Sequence, residues 1–278
     1  MKRLILLLII YTFSLSCSSG IEHKHTFSKK DSTVLAKIFQ DLKNKTDLKK
    51  TDVFLAFLNT PYVGKTLEVN NTEKLVINLT QLDCSTFIEN GISLYQCFIN
   101  NDFTTKSYAK KLQTIRYRDG KINNYTSRLH YSSDWIYDNV NKGIIENMTK
   151  KLNAEIFKTN VSFMSTHPSK YKALKNGLYV YKIKEIEDSI NSREYYYIPK
   201  NKVASIEDKL LDGDIIFITT DYKGLDISHV GFAIKKGIKT HLLHASSTGG
   251  KVIISKKTLH NYLKGIKHDT GIIVCRLK

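Results

Sequence analysis

The hydrophobic pattern of this chain changes its period near Gly177, and this change constrains the fold more than any other feature of the sequence. Before Gly177, apolar side chains recur at helical spacing, as in the set Val34, Leu35, Ile38, Phe39 and Leu42. After it, short apolar or alternating runs are separated by Gly and Asp clusters, at 178–183, 214–219, 229–234, 241–245, 251–254 and 272–277. Helices followed by an antiparallel meander of strands predict an α+β domain.

Three helices are predicted before the strands begin. Asp31 or Ser32 can cap the first, the second covers 52–58, and the third runs from about 83 to about 98. Residues 104–152 have the pattern of further helices with irregular connections. The chain is 41% hydrophobic and 10% aromatic, which excludes a disordered protein.

The N-terminus has the order of a secretory signal peptide. Lys2 and Arg3 precede an apolar run over 4–10, and small residues follow that run. The run is too short for a membrane-spanning helix, which needs about 20 apolar residues. Residues 14–17 resemble a relaxed bacterial lipobox, in which Cys17 becomes the lipid-bearing first residue. An ordinary signal peptide that is cut nearby is the alternative.

The predicted organisation follows from this leader. Residues 1–16 are a signal peptide, 17–30 a lipidated polar tether, and 31–278 a single domain. We therefore expect an exported protein, anchored by its lipid in the bacterial cell envelope (periplasm or outer membrane). The formal net charge of +17 suggests an anionic partner, which could be nucleic acid, anionic lipid or an acidic wall polymer. Export argues against nucleic acid.

Cys84 stands at the predicted start of the third helix. A thiol there would face unpaired backbone N–H groups and the positive end of the helix dipole, which favour thiolate and lower the thiol pKa below about 8.5. The same N–H groups could hold a developing oxyanion. The alternative for Cys84 is a buried small apolar residue, the commonest role of a free cysteine and the one we assign to Cys97 and Cys275.

Two histidines could serve such a nucleophile. His229 and His244 lie on predicted neighbouring strands, and Gly231 leaves space beside the first. His229 would take the thiol proton, and His244 would fix its tautomer. A metal site is the rival interpretation, but His241 and His244 are three apart and point to opposite faces of a strand. Without a His-Glu-x-x-His or paired CxxC motif, we predict no metal and no cofactor.

Five short blocks occur in the order seen in NlpC-type cell-wall hydrolases, which are papain-like cysteine enzymes. The blocks are Thr60–Gly64, Asp83–Phe87, Gly213–Phe217, His229–Gly231 and His244–Ser246. The resemblance runs from about residue 52 to the C-terminus, interrupted by a long insertion over about 101–175. It implies a papain-like fold with the cysteine on a helix N-terminus and the two histidines on the following sheet. It also implies that Tyr62 lies beside the nucleophile and helps to bind the oxyanion; an ordinary half-buried tyrosine is the alternative.

The central segment resembles the N-acetylmuramoyl-L-alanine amidase-like subgroup of these enzymes, through Tyr125–Trp135 and Asn160–His167. This resemblance implies muramyl peptides as partners and hydrolysis of the amide between the lactyl group and L-alanine. The chain departs from the general NlpC pattern at Ser85-Thr86, where Ser-Gly is usual, and at the insertion. A γ-D-glutamyl–diamino acid endopeptidase of the same fold and a non-catalytic wall-binding lipoprotein are the alternatives.

Arg128 and Trp135 are candidates for substrate binding within the insertion. Arg128 could form a bidentate pair with a substrate carboxylate, and Trp135 could stack on a sugar ring. The alternatives are an internal ion pair of Arg128 with Asp134 or Asp138 and a tryptophan packed in the core.

Asp83 and His130 complete the set of candidate substrate-binding residues. Asp83 could contact a polar group of the substrate, although capping of the nucleophile helix fits its position better. His130 lies in the insertion, as does His167, to which we assign no role.

Overall fold

The computed structural model describes residues 26–278, in which helices dominate the first half and an antiparallel sheet the second. The predictions on the signal peptide and on Cys17 lie outside these residues. Within 26–278, the α-helices are α1 (Lys29–Lys43), α2 (Lys50–Leu55), α3 (Cys84–Ile99), α4 (Thr105–Arg116), α5 (Ser132–Asn141), α6 (Phe163–Thr166), α7 (Gly177–Asn191) and α8 (Leu259–Lys264). The strands are β1 (Thr26–Phe27), β2 (Val76–Ile77), β3 (Ile145–Asn147), β4 (Glu155–Phe157), β5 (Tyr195–Pro199), β6 (Ile215–Thr220), β7 (Ile227–Lys236), β8 (Lys239–Ser246), β9 (Lys251–Thr258) and β10 (Asp269–Leu277).

Eight of these strands form one sheet in the order β4-β5-β10-β6-β7-β8-β9, with β3 paired to β10. Every pairing in this sheet is antiparallel. The predicted α+β class with an antiparallel sheet is therefore confirmed. The described helices include none that is long and apolar enough to cross a membrane.

The central strand β6 is buried on both faces of the sheet. Ile215 and Phe217 pack into the large apolar cluster beneath α3 and α4, whereas Ile216 and Ile218 pack into a second cluster with α8 and the 3₁₀ segment 200–209. Helical structure thus covers the sheet on two sides. Because both faces exclude water, the strand has a continuous apolar sequence instead of an alternating one.

A glycine on α3 allows this helix to lie close to β7. A Cβ atom at Gly91 would stand 2.9 Å from the Phe232 ring, which is closer than carbon atoms pack. Phe232 also stacks on Phe54 at 3.7 Å between ring centroids and meets the Phe87 ring edge-on at 5.4 Å. This aromatic cluster fixes the helix that carries Cys84 against the strand that carries His229.

Two predictions of local structure are wrong. Residues 178–183 form the first part of α7, because Asn176 caps the helix and Ile183, Glu187 and Ile190 fill one buried face at helical spacing. The predicted tether extends too far, since residues 26–30 include β1, whose Thr26 donates to the Leu75 carbonyl at 2.8 Å, and the start of α1.

A smaller deviation concerns the start of α1. Ser28 caps this helix and its hydroxyl accepts from the Asp31 backbone at 3.0 Å, so the helix begins before the expected caps. Asp31 instead accepts from the backbone of Leu79 at 2.8 Å, which ties α1 to the segment that leads toward α3.

A buried carboxylate on α7 binds residues of the predicted insertion. Glu187 on α7 accepts hydrogen bonds from the Tyr131 hydroxyl at 2.7 Å and from the Ser165 backbone at 3.0 Å, and it also contacts the Ser165 hydroxyl. The Tyr131 oxygen in turn accepts from the Met164 backbone at 2.9 Å. Because these groups are buried and mutually satisfied, they fix α6 and Tyr131 relative to each other.

Candidate active site

Cys84 is the first residue of α3, as the sequence predicts. Asp83 caps the helix: its carboxylate accepts from the Thr86 backbone at 2.8 Å, and its own backbone donates to the Thr86 hydroxyl at 2.9 Å. The Asp83 carboxylate is therefore engaged in capping. The Val230 backbone on β7 and the backbone and side chain of Ser85 lie close enough to the Cys84 thiol to favour its thiolate.

Tyr62 is brought beside Cys84 by backbone pairing. Leu82 donates to the Pro61 carbonyl at 3.0 Å and accepts from the Val63 backbone at 3.1 Å, so the segment around Tyr62 runs along the residues that precede α3. Burial raises the pKa of Tyr62, and the nearby Cys84 and Asp83 raise it further. Tyr62 is consequently a neutral hydroxyl near the thiol.

His229 and His244 meet across the paired strands β7 and β8. The Nε2 atom of His229 lies 2.7 Å from Nδ1 of His244, and the two rings are nearly perpendicular at 86°. A bond at this distance fixes both rings, because one nitrogen must donate and the other accept. It leaves Nδ1 of His229 as the ring nitrogen available to another group.

Gly231, two residues beyond His229, allows another group to approach closely, as the sequence predicts, and that group is strand β8. A Cβ atom at this position would lie 2.7 Å from the Leu242 side chain and 2.8 Å from the Leu243 carbonyl. The space beside Gly231 is thus occupied by β8, and the glycine allows β7 and β8 to approach where the two histidines meet.

Cys84 and His229 line the same cavity of about 190 Å³. Its wall also includes residues of α3, of the predicted insertion, of the loop before β7 and of β7 itself. These are Ser85, His130, Tyr131, Ser132, Met164, Tyr171, Leu225, Asp226, Ile227, Ser228 and Val230. The cavity therefore joins the predicted nucleophile, the predicted base and residues of the predicted insertion in one space.

Burial makes the thiol and the imidazoles neutral in the unliganded site. Burial and the charge of Asp83 together raise the pKa of Cys84 to about 11. Burial also lowers the pKa of His229 to about 3 and the pKa of His244 to about 4. The predicted lowering of the Cys84 pKa is therefore wrong, because desolvation and Asp83 outweigh the hydrogen bonds that favour thiolate. A neutral pair can still react if the proton moves from sulfur to His229 during attack.

Alkylation of Cys84 by iodoacetamide is expected to accelerate about tenfold per pH unit from pH 6 to pH 9, because the thiolate is the reactive form and its fraction grows below the thiol pKa. Peptide mapping by mass spectrometry isolates the reaction at Cys84. Cys97 and Cys275 are fully buried and serve as controls that react only after unfolding. A rate that is already constant between pH 5 and pH 8 would instead indicate a thiolate–imidazolium pair.

Arg128 is held by two internal carboxylates. It donates to Glu73 from Nε at 2.9 Å and from Nη2 at 2.8 Å, and to Glu68 from Nη1 at 2.6 Å. Neither Asp134 nor Asp138, the expected internal partners, pairs with it; Asp134 instead pairs with Arg118 and Arg193. The structure therefore does not place Arg128 as a free cation for a substrate carboxylate.

Trp135 is packed in the core, with 5% of its surface exposed. Its ring lies against Phe217 at 5.6 Å between centroids. It also borders a cavity of about 40 Å³, which has room for a water molecule but not for a sugar ring. Stacking of Trp135 on a sugar ring is therefore not possible in this arrangement.

His130 lines the Cys84 cavity, whereas His167 does not. The Nε2 atom of His130 lies 2.8 Å from the Tyr125 carbonyl, so this nitrogen must donate and Nδ1 is left as an acceptor. Burial and the charge of Arg128 lower the pKa of His130 to about 3. His167 is exposed and stacks on Phe163 at 4.4 Å.

Asp226 is a cavity residue that the sequence did not single out. Its carboxylate accepts from the Ser133 backbone at 2.7 Å, across 93 residues of sequence, and from the Ile227 backbone at 2.8 Å. It thereby joins the start of α5 to the start of β7. The described residues contain no group of three or more His, Cys, Asp or Glu side chains placed to hold a metal ion.

A family model described as AmiA-like, N-acetylmuramoyl-L-alanine amidase-like, matches residues 52–272. An N-acetylmuramoyl-L-alanine amidase from Bacteroides uniformis ATCC 8492 is 40% identical, with a TM-score of 0.78 over 83% of this chain and 99% of that chain. A protein from Bacteroides fragilis, provisionally described as a xylanase, is 43% identical, with a TM-score of 0.78 over 81% of this chain and 99% of that chain.

A more distant structure is that of a Legionella pneumophila protein of the DUF1460 family. It is 21% identical and has a TM-score of 0.66 over 89% of this chain and 94% of that chain. At this identity the likeness shows a shared fold. No curated protein matches this chain by sequence.

Proposed function

This chain belongs to the AmiA-like, N-acetylmuramoyl-L-alanine amidase-like family, and from that premise we propose that it is a cysteine amidase that hydrolyses the bond between the muramyl lactyl group and L-alanine. Membership of the family supports an amidase-like hydrolase of peptidoglycan. The cysteine mechanism, the choice of bond and the NlpC-type, papain-like relationship are part of the proposal.

The observation that carries the proposal is the meeting of three predicted residues in one place. Cys84 and His229 line one cavity, and His244 holds the far nitrogen of His229 at 2.7 Å. Nucleophile, base and orienting group are the three parts that acyl transfer by a thiol requires. Residues 145 positions apart in sequence supply the nucleophile and the base, and the packing of α3 against β7 brings them together.

In the proposed reaction, the Cys84 sulfur attacks the lactyl carbonyl while its proton passes to Nδ1 of His229. The resulting oxyanion accepts hydrogen bonds from the Tyr62 hydroxyl and the Cys84 backbone N–H. The carbon–nitrogen bond then breaks, and the L-alanine nitrogen leaves with the proton from His229. Water attacks the thioester with His229 as base, which releases the muramyl acid and restores the thiol.

The chemistry of the cavity wall favours this bond over the γ-D-glutamyl bond. The wall includes Asp226, whose oxygens already accept from the Ser133 and Ile227 backbones, and His130, whose Nε2 bonds to the Tyr125 carbonyl. The lactyl–L-alanine amide has uncharged neighbours, whereas the γ-D-glutamyl bond carries a free α-carboxylate close to the scissile carbonyl. Among the described residues that line the cavity none is Lys or Arg, so this anion would have no cationic partner there and the uncharged neighbourhood is favoured.

A xylanase activity, which the provisional description of one relative raises, does not fit this cavity. Glycosidases place two carboxyl groups on opposite sides of the scissile bond, about 5 to 10 Å apart. Among the described residues that line the Cys84 cavity, Asp226 is the single carboxylate, and backbone N–H groups occupy its oxygens.

The place of action belongs to the same proposal. We propose a secreted enzyme of the bacterial envelope whose residues 1–16 are removed and whose Cys17 carries a lipid, so that the domain works on wall fragments near a membrane. Metabolic labelling with a clickable fatty acid tests the anchor: label in the wild type and no label in Cys17→Ser are expected, whereas an unlabelled wild type would contradict it.

Tyr62→Phe is expected to lower kcat for muramyl-peptide hydrolysis by about 10²-fold with little change in KM, because one oxyanion donor is lost and the ring remains. Steady-state kinetics check this. Tyr62 lies beside Cys84 without lining the cavity itself. Tyr179→Phe, which removes the hydroxyl of a tyrosine that lines a different pocket, together with Arg128, is the matched control. Equal activity of Tyr62→Phe and the wild type would remove Tyr62 from the mechanism.

The bond is identified by the products from N-acetylmuramoyl-L-alanyl-γ-D-glutamyl-diaminopimelate. The proposal predicts free N-acetylmuramic acid and a peptide that begins with L-alanine. Release of diaminopimelate with L-alanine still on the sugar would identify the endopeptidase instead. Absence of turnover, with binding to wall fragments, would support the non-catalytic alternative.

A further inference from the structure

The second histidine of the site has a ring nitrogen without a partner. His244 is 2% exposed, and its Nε2 atom is buried and makes no hydrogen bond to the described residues. Its other nitrogen, Nδ1, takes part in the 2.7 Å contact with His229. A buried polar group without a partner is costly, so its surroundings need an explanation.

The tautomers of His229 and His244 determine whether the Nε2 atom of His244 carries a proton. If His229 is to take a proton at Nδ1, its own proton must lie on Nε2, which then donates to Nδ1 of His244. A neutral imidazole that accepts at Nδ1 carries its proton on Nε2. The reactive form of the site therefore places an N–H group of His244 in the position without a hydrogen-bond acceptor.

The ring of Tyr262, on α8, packs against the ring of His244. Its centroid is 5.4 Å from that of His244, and the two ring planes meet at 80°. In this edge-to-face geometry the positive edge of one ring lies against the negative face of the other. An imidazole N–H can use an aromatic face as a weak acceptor in this way.

We propose that Tyr262 is a positioning residue, whose ring face receives the Nε2–H group of His244 and thereby selects the tautomer in which His229 can act as the base. The inference rests on the proposed function, since it concerns the same histidine pair. Tyr262 acts through His244, and its aromatic ring, not its hydroxyl, is the part that matters.

The opposite tautomer would be inactive. If His244 donated from Nδ1 to His229, neutral His229 would carry its proton on the nitrogen available to the thiol and could not accept another. Without the ring of Tyr262, the two tautomers come closer in free energy and a smaller fraction of the enzyme is competent. Such a change lowers kcat and leaves KM unchanged, because substrate binding does not depend on the tautomer.

The experiment compares Tyr262→Leu with Tyr262→Phe in the full chain, each alone and combined with His244→Asn. Tyr262→Leu is expected to lower kcat about 3- to 10-fold, in line with the strength of aromatic edge-to-face contacts, and the conservative Tyr262→Phe is expected to restore most of it. In the His244→Asn background, which lacks the imidazole N–H group, Tyr262→Leu should have no further effect.

Three results would overturn the inference. The first is that Tyr262→Leu lowers kcat by the same factor in the wild-type and His244→Asn backgrounds. The second is that Tyr262→Phe lowers kcat as much as Tyr262→Leu does. The third is that Tyr262→Leu changes KM instead of kcat. Each is distinct from failure of the proposed function, in which the wild type itself would not cleave the lactyl–L-alanine bond.

A measurement on the unmodified protein guards against variants that do not fold. Nitrogen-15 NMR of the wild type should show the proton of neutral His244 on Nε2, with its resonance shifted upfield by the ring of Tyr262. A proton on Nδ1 of His244 would contradict the inference.

Discussion

Cys84→Ala is expected to reduce kcat/KM for hydrolysis of a muramyl peptide by about 10⁴- to 10⁶-fold, the largest effect of any single change in this chain. The thiol forms the covalent bond to the substrate, and loss of a nucleophile leaves only binding and oxyanion stabilisation. Release of L-alanine-containing peptide, followed by chromatography over long incubations, measures the residual rate.

Cys97→Ala is the matched control for Cys84→Ala. It removes a thiol from the same helix, in the buried core and away from the cavity. We expect its activity to stay within a few fold of the wild type once its folding has been checked by circular dichroism. A Cys84→Ala enzyme that retained a tenth or more of the activity would show that another group attacks the substrate.

His229→Ala is expected to reduce kcat/KM by about 10³- to 10⁴-fold. The neutral thiol of Cys84, whose pKa is raised to about 11 by burial, depends on an adjacent base to lose its proton at neutral pH. The loss should be largest near pH 7 and should shrink toward pH 10, because hydroxide progressively replaces the base. A pH–rate series on the variant and the wild type tests both statements.

His268→Asn is the control for His229→Ala. His268 lies on the surface, where its Nδ1 atom pairs with Asp221 at 2.7 Å, so its replacement leaves the cavity unchanged. Full activity is expected from His268→Asn. If His229→Ala lost less than about tenfold at pH 7, or if its deficit did not depend on pH, His229 would not be the general base.

Local features of the sequence were sufficient to predict the secondary structure that carries the candidate site. A cap residue followed by Cys84 predicts the start of a helix, and period-two apolar runs around His229 and His244 predict paired strands. Both depend on interactions within a few residues, which the sequence displays directly. The apolar run at 178–183 misled the prediction because short apolar runs fit a strand or a helix equally well.

The contacts between residues that lie far apart in the chain could not be predicted from the sequence. Arg128 pairs with Glu68 and Glu73, which lie 60 and 55 residues away from it in sequence. The expected partners, Asp134 and Asp138, are much nearer to it in sequence. Trp135 likewise packs against a residue that is distant in sequence, Phe217. The pKa of the Cys84 thiol also depends on burial, which only the assembled fold determines.

The mass of the acyl group trapped on the enzyme tests the central claim most directly. Acid quenching during turnover of N-acetylmuramoyl-L-alanyl-γ-D-glutamyl-diaminopimelate, followed by mass spectrometry of the intact protein and its peptides, reveals any thioester. The account predicts an N-acetylmuramoyl group on the peptide that contains Cys84, and none in Cys84→Ala. An adduct that still carries L-alanine and D-glutamate, an adduct on another residue, or turnover without any adduct in rapid-quench samples would contradict it.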